Sequence, residues 1–114
     1  MLPFHLLYQN GLIRAREVKV DLSTIPPDYV FEPNYKLMPM NELEMYLRKF
    51  KHLPNISSAN EMAASGGVKV GEMQLKLLEK VEELTLYLLQ LNTEIACLKK
   101  QIAQQEQQKT LFHC

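Results

Sequence analysis

From Leu77 to Ile102 an aliphatic side chain recurs at alternating spacings of four and three: Leu77, Val81, Leu84, Leu88, Leu91, Ile95, Leu98 and Ile102. This is a heptad repeat. With Leu77 at d, the a positions are Val81, Leu88, Ile95 and Ile102, and the d positions are Leu77, Leu84, Leu91 and Leu98. Gln74 and Gln105 give the seam polar ends. Residues 71–108 contain no Pro, and no Gly after Gly71. The pattern predicts one helix from about Glu72 to Gln108, roughly 55 Å long at ~1.5 Å per residue. A seam of this period winds left-handedly around a partner. Leu78, Leu86, Tyr87 and Leu89 lie off the seam, so the first half of the helix is expected to touch the middle of the chain as well. From Asn92 onward only the thin seam remains. The competing reading is an ordinary core helix packed on its own chain; sustained heptads favour the coiled coil.

The rest of the chain carries shorter signals. Asn10-Gly11, between Leu6-Leu7-Tyr8 and Leu12-Ile13, predicts a β-hairpin in residues 1–22, although the alternation from Ile13 to Val20 is imperfect. Pro26-Pro27 enforces extended backbone, and Tyr29-Val30-Phe31 offers a short apolar anchor. Met40, Leu43, Leu47 and Phe50 share one face of a predicted helix that Pro54 is expected to stop. Ser58 to Glu61 fits a capping box, followed by a short helix ending at Gly66-Gly67. Val68-Lys69-Val70 reads as one short strand. The expected fold is therefore α+β and mostly helical. It has an N-terminal β-hairpin (1–22), a small α+β docking region (23–70), a long helix in a parallel coiled coil (71–108) and a frayed tail (109–114).

Thirteen basic residues balance thirteen acidic ones, which argues against a nucleic-acid or anionic-membrane binder. No apolar run is long enough for a transmembrane helix, and the first residues lack the basic start of a signal peptide. His5, His52 and His113 are scattered, without metal-ligand spacing; His52 reads as a turn-anchoring or packed side chain. No catalytic, cofactor or metal residue is expected. Cys97 falls at c, outside the seam, and reads as an incidental free thiol. Glu79, Glu82 and Glu83 read as a solvated acidic patch. Glu94 at g can meet Lys99 at e of a parallel neighbour. With β-branched residues at most a positions but Leu88 at another, the seam alone leaves dimer and trimer open.

Several runs, taken in order, resemble a known family: Asn10 to Val20, Asp28 to Leu37, Lys51 to Ile56, Gly71 to Met73 and Leu77 to Tyr87. They are similar to the C-terminal domain of tail-fibre-like proteins of bacteria and their phages, itself similar in architecture to endosialidase-type intramolecular chaperone domains. The resemblance covers about residues 8–100. It implies a C-terminal cap that trimerises, follows an upstream fibre segment and helps three chains fold in register, at a cell surface or on a virion. Self-cleaving members carry a nucleophilic Ser before a basic motif at the domain start. Here no Ser precedes Ser23, so autocleavage is not expected.

The expected role is thus structural: self-association through Leu77, Val81, Leu84, Leu88, Leu91, Ile95, Leu98 and Ile102, as a homotrimer or a dimer. Tyr29, Phe31, Leu43, Leu47 and Phe50 are expected to form the docking core. The alternatives are a heterotypic coiled-coil adaptor and a self-cleaving domain using Ser23, Ser57 or Ser58.

Overall fold

The computed structural model describes residues 11–108. Its elements are a 3-10 turn (Tyr29–Phe31), α1 (Met40–Phe50), α2 (Ala59–Ser65) and α3 (Val70–Gln108). α3 runs for 39 residues, about 58 Å at ~1.5 Å per residue, and sets the elongated shape of 80 × 32 × 28 Å. Segments around Val20 and from Thr24 to Asn55 contact its N-terminal half.

Local chemistry accounts for the short helices. Ser58 Oγ accepts from the Glu61 amide at 3.2 Å, and Glu61 Oε1 accepts from the Ser58 amide at 2.8 Å. This reciprocal box starts α2, and Gly66, at φ 83°, ends it. α1 carries Glu42 in its first turn and Arg48 and Lys49 in its last, an order that complements the helix dipole. It stops earlier than Pro54 requires. Lys51 turns left-handed at φ 60° and its amide closes on the Leu47 carbonyl at 3.0 Å. The 3-10 turn buries Val30, which with Pro27 is the most enclosed part of the described residues.

The α+β expectation is not met, because the described residues contain no strand. Leu6-Leu7-Tyr8 and Asn10 lie outside the described residues. Gly11 has positive φ (71°), but residues 12–22 continue as exposed, irregular backbone. A two-stranded hairpin is marginal without a further strand or a helix to cover it. Val20 instead approaches the start of α3: a Cβ on Gly71 would lie 2.6 Å from Val20 Cγ1. Val68-Lys69-Val70 is not a strand either; Val70 already opens α3. The tail 109–114 lies outside the described residues. Cys97 is disulfide-bonded, which corrects the expectation of a free thiol.

Candidate functional site

The heptad letters divide α3 into two faces, and the rest of the chain covers one of them. Residues 28–38 cross the helix diagonally. Asp28 lies by Glu82 at b. The Tyr29 hydroxyl donates to Glu79 Oε2 at f, and the Tyr35 hydroxyl donates to Glu83 Oε2 at c. Tyr87 at g closes the crossing by donating to the Met38 carbonyl at 2.6 Å. Positions b, c and f are the outward side of a coiled-coil helix, and g flanks the seam.

The acidic patch is therefore not solvated. Glu79 is 5 % exposed, Glu82 8 % and Lys80 9 %. Glu79 also accepts from Asn55 Nδ2 at 3.2 Å. Asn55 reaches it from a left-handed backbone (φ 63°), a conformation Asn tolerates better than most residues. Lys80 Nζ lies 2.9 Å from Glu83 Oε1 and 3.7 Å from Glu79 Oε1. Buried charges demand such partners, because each leaves water on folding. Burial pushes the Glu79 carboxyl up, but the hydrogen bonds from Tyr29 and Asn55 and the Lys80 charge outweigh it and hold the group below the usual range. The bond to Glu79, with burial behind it, raises the Tyr29 hydroxyl to about 12. Burial first, then the bond to Glu83, raises Tyr35.

Glu82 behaves in the opposite way. Burial, then the nearby Asp28 carboxyl and the Glu79 charge, push it up. Its Oε1 is buried with no hydrogen-bond partner. Its ionised form therefore works against docking at neutral pH. Glu82→Gln, which removes that charge, is expected to raise the melting temperature at pH 7, with the gain shrinking towards pH 4 as the wild-type carboxyl takes up a proton. Calorimetric melting at both pH values checks this; a lower melting temperature at pH 7 would contradict it.

The other face of α3 is bare. Leu77, Val81, Leu84, Leu88, Leu91, Ile95, Leu98 and Ile102 are all between 41 % and 64 % exposed. The a and d side chains of the seam are thus left largely uncovered by the chain's own docking region, Leu84 alone also lining a cleft beside it. Of the residues expected to form the docking core only Leu43 is half-buried; Tyr29, although its hydroxyl is held by Glu79, is exposed, as are Phe31, Leu47 and Phe50. Phe50 lies on Tyr46 with ring centroids 4.6 Å apart. The fully buried positions in that region are Pro27 and Val30. Of the off-seam residues, Leu86 and Tyr87 are half-buried while Leu78 and Leu89 are exposed.

Between α3 and the docking region lies an open cleft of about 420 Å³. Met38, Leu43, Leu53 and Leu84 give it apolar walls; Tyr35, Lys80 and Glu83 lie at its edge. His52 anchors a turn, with Nδ1 at 2.9 Å from the Leu53 carbonyl and its ring edge-on to Tyr46. Among the described residues no group of three or more His, Cys, Asp or Glu side chains is arranged to hold a metal ion. No helix among them is long and apolar enough to cross a membrane.

The sequence reading missed Tyr35, Asn55, Glu79, Lys80, Glu82, Glu83 and Tyr87 as a connected set. One signal was available. Glu79 stands three and four residues before Glu82 and Glu83, a like-charge spacing that disfavours an isolated helix. Such spacing calls for hydroxyl, amide or ammonium partners from elsewhere.

No known protein family, characterised protein or solved structure matches this chain.

Proposed function

We propose that this chain is a structural registration module that binds copies of itself side by side through α3, in parallel. The observation that carries the proposal is the division of α3: the chain covers f, b, c and g with its own tyrosine-bearing segment and leaves every a and d side chain of the seam bare. A helix that served only its own chain would turn its aliphatic stripe inward and its carboxylates outward. Here the arrangement is reversed, which suits a helix whose seam is reserved for other helices. Burying each seam side chain contributes on the order of 1.5–3 kcal/mol before ordering costs. The Glu94–Lys99 placement at g and e supports a parallel alignment.

The resemblance to tail-fibre C-terminal domains supports a trimeric cap that aligns three chains and receives an upstream fibre segment. The role is structural or chaperone-like, not catalytic, and uses no cofactor, nucleic acid or membrane.

Light scattering on the purified chain across a dilution series tests this. The expected mass is about 40 kDa, three copies of a 13.2 kDa chain. A mass near two copies would keep the registration role and remove the trimer. A mass near one copy at every concentration would overturn self-association and leave the seam to a different partner.

A further inference from the structure

Two apolar surfaces are left uncovered among the described residues, and they lie on opposite flanks of α3. The first is the stripe of α1, where Met40, Leu47 and Phe50 are exposed and Leu43 is half-buried. α1 is held on the g and d flank of α3. It begins two residues after Met38, whose carbonyl is bound by Tyr87 at g. Its Leu43 also shares the cleft with Lys80 at g and Leu84 at d. The second surface is on the e and b flank, where Leu78 at e is 44 % exposed and Leu89 at b is 57 % exposed. The heptad seam requires neither leucine, and the chain's own docking region leaves both uncovered.

Within one chain these surfaces cannot meet, because the body of α3 stands between them. Between parallel neighbours they face each other, since the g flank of one helix lies against the e flank of the next. The cleft is also continuous with the seam, because Leu84 belongs to both.

We propose that α1 of each copy packs across the edge of the seam onto Leu78 and Leu89 of the neighbouring copy's α3, so that the docking region clamps the adjacent chain. This rests on the parallel self-association proposed above. The contact is head-to-tail: a donor flank on one copy meets a receiver flank on the next. Repeated around a cyclic axis it closes without leaving either surface free. It also selects parallel over antiparallel helices, because antiparallel pairing sets g against g and e against e. Register follows too, since a shift of one heptad moves Leu89 about 10 Å along the axis, away from the level of Leu84.

The test places the photoreactive residue p-benzoylphenylalanine at position 89 of the full chain. Isotopically heavy and light chains are mixed in equal amounts, unfolded, refolded together, irradiated and digested, with light scattering on the same sample. The expected result is an assembled mass and crosslinks from position 89 to residues 40–53. About half of those crosslinks should join a heavy to a light peptide, as random mixing of copies requires. Leu47→Asp, on the exposed stripe and away from the seam, is expected to lower that crosslink yield severalfold while the assembled mass persists. An assembled mass with crosslinks only within one copy, or only to other segments, would overturn the clamp and leave the coiled coil standing. A monomeric mass would overturn both.

Discussion

Replacing Leu84 and Leu91 together by Asp is expected to leave a monomer that has lost much of its helix. Both are d positions, and both are exposed in the single chain, at 59 % and 41 %. The substitutions therefore remove little packing from an isolated chain. In an assembly they remove two buried leucines per copy, worth about 3–6 kcal/mol per chain, and bring carboxylates together in an apolar seam. That corresponds to a loss in association on the order of a hundredfold or more. Helix content should fall with it. Beyond Tyr87 the described part of α3 has almost no cover from residues 11–69, and helices without tertiary support are marginal in water. Far-UV circular dichroism with light scattering reads both effects. A double variant that stayed assembled, or stayed fully helical as a monomer, would show that the seam is not what supports the C-terminal half of α3.

The second large effect is expected at the other face. Glu79→Ala removes the acceptor shared by Tyr29 and Asn55 and the charge beside Lys80. Of the donors left behind, Lys80 is enclosed at 9 % exposure but keeps Glu83 at 2.9 Å. Tyr29 and Asn55 are exposed and regain water, so the cost is that of the lost bonds and of a weakened ion pair. About 1–3 kcal/mol is the expected loss, read by chemical denaturation, with protease cleavage between residues 28 and 56 rising as the docking region lifts. The same contact predicts acid lability. Because the folded carboxyl of Glu79 titrates below its unfolded value, its contribution is present above about pH 4.5 and is lost as pH falls through the folded value. In Glu79→Ala that acid step should shrink. Glu82 shifts the other way and is relieved by the same protons, so Glu82→Gln leaves the Glu79 step more visible. If Glu79→Ala were as stable as wild type, the tyrosine-to-glutamate crossing would not be what holds the docking region down.

These two expectations separate what each face of α3 does. The outward face fastens the chain to itself through polar groups; the inward face carries only aliphatic side chains and fastens nothing within the chain. Exposure of the seam competes little with docking, because the polar contacts use f, b, c and g and only Leu84 at d also lines the docking cleft. A destabilised docking region should therefore leave the seam chemistry intact, and a broken seam should leave the Tyr29–Glu79 and Tyr35–Glu83 contacts with their partners.

The sequence by itself determined the elements whose signals are local. The aliphatic spacing from Leu77 to Ile102 specifies α3 and its seam. The stripe from Met40 to Phe50 specifies α1. The Ser58–Glu61 pair and Gly66 bound α2, since both ends are built from groups within a few residues of each other. Tertiary structure alone decided which face of α3 the rest of the chain covers. That choice rests on bonds between residues 48–50 positions apart, from Tyr29, Tyr35 and Met38 to Glu79, Glu83 and Tyr87. In the sequence those carboxylates have the pattern of a solvated face, because a polar side chain does not reveal whether water or a distant hydroxyl will satisfy it. The hairpin and the strand at 68–70 were misread for a related reason. A strand is stable only with a partner, and no local pattern says whether one will be there. Here Val20 lies against Gly71 and Val70 is taken into α3, so neither segment is left to pair.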